Sequence, residues 1–261
     1  MMNEQRWEAA LKAAREAADA AAEVIRHYWH RGVEVEIKPD ATPVTIADRE
    51  AEQAIRSILA QGLPGAAIYG EEFGLDHSGS DLLWLVDPLD GTKSFVRRTP
   101  FFSTQIALMQ RGELVLGVSS APVYGETMWA SKGGGTWFNG ERVKVAPTTE
   151  MAQASISIGN VKTLTDDARW QTLGAMIRDS NRIRGYGDFC HYHLLARGSL
   201  DLVIESDVSI LDVAALAVIV REAGGVFTDL QGEPLNLDTR SVLAGTPALH
   251  AQALARLAPT A

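Results

Sequence analysis

The chain has 261 residues, enough for one large domain or two smaller ones sharing a core, and its 46% apolar and 22% charged residues exclude a disordered or fibrous protein. A formal net charge of -9 argues against nucleic acid as a partner, because phosphate backbones are held by clustered Lys and Arg. The single cysteine, Cys190, allows no internal disulfide, fits a reducing compartment, and reads as a buried small hydrophobe before it reads as a nucleophile.

Residues 4–30 predict a long helix, with Trp7, Leu11, Ala14, Ala18, Ala22, Ile25 and Trp29 recurring at three- and four-residue steps. This opening stretch is charged throughout, without the apolar middle of a signal peptide. No later run reaches the ~18 apolar residues of a membrane span, so a cytoplasmic protein without membrane contact is expected. "VEVEIK" (33–38) alternates like a strand and 45–61 predicts a second helix, with Asp48 near its start. "AAIYG" (66–70) and "LLWLV" (82–86) read as buried strands that run into "EE" and "DPLD". From 101 to 146 short alternating runs separated by Arg-Gly, Tyr-Gly, a triple Gly and Asn-Gly predict an antiparallel meander. Hairpin spacing accounts for Gly133–Gly135, and no lysine-serine pair follows to make them a phosphate loop.

Beyond Pro147 strands and helices alternate: a strand in "ASISIG", a helix over 165–178, a strand in "NRIRGY", a helix over 188–198, a strand in "LDLVIES" and a helix over 209–225. Strands in "GVFTDL" and "SVLAG" and a helix over 247–257 complete the chain. No repeat or linker separates the halves, so 1–146 and 147–261 are expected to form two lobes of one compact unit, with the site between them.

The chemistry collects in "WLVDPLDGTKSF". Pro88 fixes its own φ and biases Asp87 to an extended conformation, which predicts that the strand ends there and that a tight turn carries Asp90. Gly91 supplies unusual backbone angles. Its N–H and that of Thr92 open a short helix, a natural seat for an anionic phosphate. Two carboxylates aimed at one point repel unless a cation lies between them, and magnesium is the obvious one. A pair of such ions holds the attacking water and the leaving oxygen of a phosphoryl group. Six ligands per ion exceed what Asp87 and Asp90 provide, so Glu71, Asp48 and Asp212 are further candidates. Taken singly, each acid also reads as a solvated loop acid or a helix cap. "DPLDGT" preceded by "GEE" favours the site.

Three motifs, "GEE" at 70–72, "DPLDGT" at 87–92 and "LDVAALAVIVREAGG" at 211–225, resemble in order the signatures of the inositol monophosphatase superfamily, and the likeness runs from "PVTIADREAE" through "GVFTD". The resemblance implies a layered αβαβα sandwich (α/β class) of the inositol monophosphatase and fructose-1,6-bisphosphatase type. It also implies a magnesium-dependent, lithium-sensitive phosphomonoesterase with two or three Mg2+ ions, acting as a homodimer on a small-molecule phosphate ester. Carried over by motif, it makes Glu71, Asp87, Asp90, Asp212 and the Leu89 carbonyl metal ligands. It gives Gly91 and Thr92 to phosphate, and has Glu71 and Thr92 orient the attacking water with Asp48 in support. Lys38 resembles the family's active-site-loop lysine and reads as well as a solvated lysine. Leu211 stands where the family has tryptophan, which implies a packing change and motivates the alternative of a metal-binding regulatory protein without catalysis.

Lys93 and Ser94 replace the threonine and asparagine usual in inositol phosphatases, and "GTKSF" with "YGDFCHYHLLARGSLDLVIES" looks most like histidinol-phosphate phosphatases. Glu205, seven residues before Asp212, matches the family's acidic substrate-contacting position. Asp188 reads equally as a second substrate carboxylate and as a helix N-cap. A substrate with a protonated amine and an imidazole would welcome both acids. Inositol 1-phosphate and 3',5'-bisphosphate nucleotides are the alternative esters. Arg97 and Arg98 read as a solvated helix end or as a seat for a second phosphate. His191 and His193, two apart on one helix, are expected on different faces, one packed and one solvated.

Overall fold

The computed structural model describes residues 4–32, 35–37, 43–76, 79–166 and 168–257. Helix α1 (Glu4–Arg31) leads to a ribbon of β1 (Val35–Ile37) and β2 (Pro43–Thr45), then to α2 (Ile46–Gly62), β3 (Ala67–Gly70), β4 (Gly74–Leu75), β5 (Leu82–Asp90) and short α3 (Thr92–Val96). The meander follows as β6 (Ser103–Gln110), β7 (Glu113–Ala121), β8 (Glu126–Ser131), β9 (Gly135–Phe138) and β10 (Glu141–Val143). After a 3-10 turn at Met151–Gln153 come β11 (Ser155–Gly159), α4 (Val161–Thr165), α5 (Trp170–Asp179), β12 (Arg182–Arg184), α6 (Asp188–Ala196) and β13 (Leu202–Ser206). The chain finishes with α7 (Ile210–Glu222), β14 (Val226–Thr228), β15 (Ser241–Gly245) and α8 (Pro247–Leu257). The helix expected over 165–178 starts at Trp170, and the strand expected over 33–38 is seen at 35–37, where it pairs with β2.

The strands form an eight-stranded sheet in the order β10-β9-β8-β7-β6-β5-β3-β4 and a five-stranded sheet in the order β12-β11-β13-β15-β14. Strand alternation sends Trp84, Val86, Ile106 and Leu108 to one face of the larger sheet, where they pack on the alanine stripe of α1 and on Ile55 and Leu59 of α2. Leu85, Ala107 and Met109 face the other way, onto α6 and α7. Those two helices are apolar nearly all round because they are covered twice. Val203, Phe227, Val242 and Ala244 of the smaller sheet close over them, and Ile156, Leu202 and Leu243 on its far face pack on α5 and α8. The result is an αβαβα sandwich, as expected. At Gly117 a Cβ would lie 2.3 Å from the Ala215 carbonyl oxygen, so the bare glycine lets α7 lie flat on β7. No helix among the described residues is long and apolar enough to cross a membrane.

Strands β3 and β5 run parallel with Gly70 opposite Val86, so their carboxyl ends emerge side by side. Helices α2 and α7 begin at the same end of the sandwich, and that end carries the acids.

Candidate active site

Strand β5 does not stop at Asp87. It runs to Asp90 with its register broken between them: Asp87 pairs with Gln105, Asp90 with Ser103, and Pro88 falls in the bulge, where a missing N–H costs the ladder nothing. The bulge re-aims the two carboxyl groups. Asp87 is buried, and its Oδ1 accepts the Leu89 N–H at 3.0 Å. Glu71, one residue past β3, donates its own N–H to the Val86 carbonyl at 3.1 Å and is thereby pinned beside Asp87. Asp48 is the third residue of α2 and closes a capping box with Thr45, whose N–H and Oγ1 donate to Asp48 Oδ2 at 2.8 and 2.6 Å. Its other oxygen accepts the Thr92 hydroxyl at 2.9 Å, and that hydroxyl also lies 3.0 Å from the Leu89 carbonyl. Asp212 repeats the device on α7: Ser209 N–H and Oγ donate to its two oxygens at 2.8 and 3.0 Å. Capping does not take either acid away from the cluster: Asp48 reaches it through Thr92, and Asp212 lies beside Asp87 and Asp90.

Electrostatics ties these groups to one centre. Asp87 is held well above the usual carboxylate range by burial first, then by the charges of Glu71, Asp90 and Asp212. Asp90 is raised by burial and then by Asp188, Asp212 and Glu205, against one donated hydrogen bond from Ser103. Burial pushes Asp212 up to about 6 despite its cap. For none of these three is a lysine or arginine among the chief influences, so the cluster has a surplus of negative charge and only oxygen donors. That donor set suits a hard divalent ion such as Mg2+ or Mn2+ and is wrong for a thiophilic one. The acids converge without closing: among the described residues no three His, Cys, Asp or Glu side chains already form a finished ligand cage. A hard cation is the group whose charge this surplus of carboxyl oxygens would balance.

A second acidic patch adjoins the first. Asp90, Asp212, Asp188, Glu205, Asn160 and Tyr192 line one small cleft. Glu205 is buried at the end of β13. Its Oε2 accepts the Tyr192 hydroxyl at 2.6 Å and lies 3.0 Å from His191 Nε2. Asp188 opens α6 but does not cap it: Gly187 is the N-cap, no side chain bonds the first turn, and Asp188 itself adopts φ +46. A non-glycine residue in that region is strained by about 1 kcal/mol, which points to the cleft and away from the helix as the reason for its place. Burial and the Glu205 charge push Asp188 up to about 6. Both histidines of α6 are buried, contrary to expectation, because α6 is sandwiched between the two sheets: His191 bonds Glu205, and His193 bonds Glu126 and Ser119. Burial holds the Cys190 thiol at about 11, which keeps it protonated and unfit as a nucleophile. A wider cleft, about 440 Å³ between α1 and residues 131–134, has no such convergence of acids.

The packing of Leu211 into the core between the sheets accounts for its side chain without a role in the site. Arg98 spends its guanidinium on the Trp29 carbonyl and ring, which removes it as a seat for a second phosphate. Lys38 lies outside the described residues. Sequence reading missed Glu52: buried in α2, it accepts the N–H groups of Glu72 at 2.7 Å and Phe73 at 3.3 Å and pairs with Arg56, stapling the turn that follows Glu71. Its only signal was an acid on the apolar face of a helix.

Gly91 is the N-cap of α3 with φ +88, and no side chain caps that first turn. A Cβ there would meet the Phe101 carbonyl oxygen at 2.5 Å and the Phe102 Cα at 3.1 Å, both backbone atoms that cannot swing aside. Gly91→Ala is therefore expected to lower stability by about 2–4 kcal/mol and to abolish function through the displaced Thr92, with chemical denaturation as the check.

The family model described as the inositol monophosphatase family matches residues 6–261. The chain is 37% identical over 246 residues to the histidinol-phosphatase of Mycobacterium tuberculosis, covering 92% of this chain and 94% of that one. It is also 37% identical over 252 residues to the bifunctional phosphatase IMPL2 of Arabidopsis thaliana, covering 92% and 72%. Among solved structures, an inositol monophosphatase from Zymomonas mobilis superposes with a TM-score of 0.85 at 33% identity over 96% of this chain and 98% of the other. An acid-rimmed cleft at the carboxyl ends of β3 and β5, on this sandwich and with this match along nearly the whole sequence, leads to one assignment: the chain belongs to the inositol monophosphatase family of phosphatases.

Proposed function

We propose that the protein is a magnesium-dependent phosphomonoesterase whose substrate is histidinol phosphate. The observation that carries the substrate choice is the pairing of Asp188 and Glu205 in the cleft that also holds Asp90 and Asp212. Similarity to histidinol-phosphatases supports it. In this proposal the lobes 1–146 and 147–261 share the site, the first supplying phosphate and metal ligands, the second Asp212 and the substrate acids.

Glu71, Asp87, Asp90, Asp212 and the Leu89 carbonyl would hold the ions. A bound divalent cation supplies Lewis acidity toward the phosphoryl oxygens and neutralises charge that develops on the leaving alkoxide. The chain's own residues do the rest. The backbone at Gly91 and Thr92 receives the phosphate at the start of α3. Thr92 Oγ1 hands its hydrogen to Asp48 Oδ1 and so turns its lone pairs outward, ready to accept a proton from the attacking water. Asp48 is fixed by its cap and, through burial, has a raised affinity for a proton, which suits it to receive one by way of Thr92. Glu71 orients the same water from the opposite strand end. On the leaving-group side, Glu205 is clamped by His191 and Tyr192, so its carboxylate is pre-aimed at a cationic group, and Asp188 offers a second acceptor.

A panel of phosphate esters scored by kcat/KM for released phosphate tests the proposal. Histidinol phosphate is expected to lead inositol 1-phosphate and 3',5'-bisphosphate nucleotides by about tenfold or more. Activity confined to inositol phosphates would overturn the substrate, and no release from any ester would favour a metal-binding protein without catalysis. Glu205→Gln is expected to lower kcat/KM for histidinol phosphate by about 10- to 100-fold, the worth of one charge-assisted hydrogen bond, while a neutral aryl phosphate loses less than about threefold.

A further inference from the structure

A line of buried polar side chains leaves the site across the larger sheet, on the face on which α7 lies, and reaches α6 at His193. Gln105 of β6 lies opposite Asp87 of β5 and Ser119 of β7, and Ser103 lies opposite Asp90. Ser103, Gln105 and Ser119 have no exposed surface, and His193 has 1%. The Gln105 amide nitrogen is 2.7 Å from Ser103 Oγ and 3.0 Å from Ser119 Oγ. Ser103 Oγ is 3.2 Å from Asp90 Oδ2, and Ser119 Oγ is 2.8 Å from His193 Nε2. His193 Nδ1 lies 3.2 Å from Glu126 Oε2, and Glu126 meets Arg197 at the rim.

Donor counting gives this string one direction. The amide nitrogen of Gln105 has two hydrogens and gives one to each serine. Each serine then has its own hydrogen free: Ser103 donates to Asp90 and Ser119 donates to His193 Nε2. Burial lowers the His193 pKa, so the ring is neutral near pH 7, and its remaining hydrogen on Nδ1 goes to Glu126. Reversing the amide would make Gln105 an acceptor from both serines and leave Ser103 without a hydrogen for Asp90. The orientation that serves Asp90 leaves Gln105 Oε1 buried without a partner among the described residues.

We propose that Gln105 is a positioning residue that acts through Ser103: held by Ser119 and His193, it commits the Ser103 hydroxyl to Asp90 and fixes that carboxylate in the orientation from which it takes a cation. This rests on the metal-dependent reading of the site. Asp90 feels the charges of Asp188, Asp212 and Glu205, and the Ser103 hydroxyl is the one donated hydrogen bond that opposes them among its chief influences. Losing that bond frees Asp90 to turn from its crowded neighbours, and the cation must then reorder it.

The test is calorimetric titration of Mg2+ into chelator-stripped protein, wild type against Gln105→Met, which keeps the length of the side chain and removes the donor. Mg2+ affinity is expected to fall about tenfold, with kcat recovered at saturating Mg2+. Ser103→Ala, which deletes one small hydroxyl, carries the same expectation and the test itself should Gln105→Met fail to fold. Variants that melt earlier without magnesium but bind Mg2+ within twofold of wild type would make the string structural only and overturn the inference. Absence of saturable Mg2+ binding by the wild type would overturn the metal-dependent reading and the inference together.

Discussion

Replacing Asp90 by Asn is expected to cut kcat/KM for the preferred ester by about 10³-fold or more at any magnesium concentration that can be reached, while the protein stays folded. Asp90 ends the bulged strand β5 beside Asp212, Asp188 and Glu205, so under the proposed function it is the acid where the ion ligands and the substrate acids meet. Asparagine fills the same volume and still accepts the Ser103 hydroxyl. What it removes is one negative charge and one anionic ligand. In the unliganded protein that removal relieves the repulsion between Asp90 and its neighbours Asp87 and Asp212, so Asp90→Asn should melt later than wild type in chelator. Lost turnover coupled to gained stability marks a strained functional acid. Turnover within tenfold of wild type, or a lower melting point in chelator, would count against the proposed ligand set.

The acids themselves were legible because their chemistry is local. Pro88 and Gly91 punctuate a six-residue stretch, and hairpin glycines mark the meander one turn at a time. What was not legible depends on which elements face each other. Pro88 argues in sequence for the end of a strand, yet β6 supplies Ser103 opposite Asp90, and the ladder resumes beyond the bulge. Tertiary pairing overrides the local bias. His191 and His193 could be assigned to different faces of α6, but not to burial on both, because that requires knowing that a sheet covers each side of the helix. Asp188 looks like a cap in sequence because acids commonly are caps. Its positive φ and the glycine before it are visible only in three dimensions. Nothing in the sequence singles out Gln105 and Ser103, which are interior because β6 is covered by α7.

Magnesium should stabilise the chelator-stripped protein strongly at pH 7.5 and much less at pH 5. The sign follows from the raised carboxyl groups. Asp212 and Asp188 are held at about 6 against a reference of 3.8, and Asp87 and Asp90 stand well above it too, so between these limits the folded state binds more protons than the unfolded chain. Their contribution to stability is full below about pH 4 and is lost as pH rises through about 6 and beyond. A carboxyl displaced that far costs the folded state up to about 3 kcal/mol at pH 7, less what solvent screens at the open side of the cleft. His193 and His250, lowered by burial, work in the opposite sense: their contribution is present above about pH 6.5 and is lost on acidification. Raw melting curves therefore mix the two effects. The magnesium increment separates His250, which bonds Thr228 away from the cluster, whereas His193 reaches Asp90 through Ser119, Gln105 and Ser103, so its protonation on acidification lowers the increment in the same direction as protons on the carboxyls. At pH 7.5 the ion takes over the work of the missing counter-charges, and at a hundredfold excess over its dissociation constant it adds about 2.7 kcal/mol, or about 5 °C for a chain of this length. At pH 5 protons already occupy the raised carboxyls and compete for the same oxygens, so the increment should fall below about 2 °C. An increment that does not change between pH 5 and 7.5 would mean that magnesium binds away from Asp87, Asp90 and Asp212.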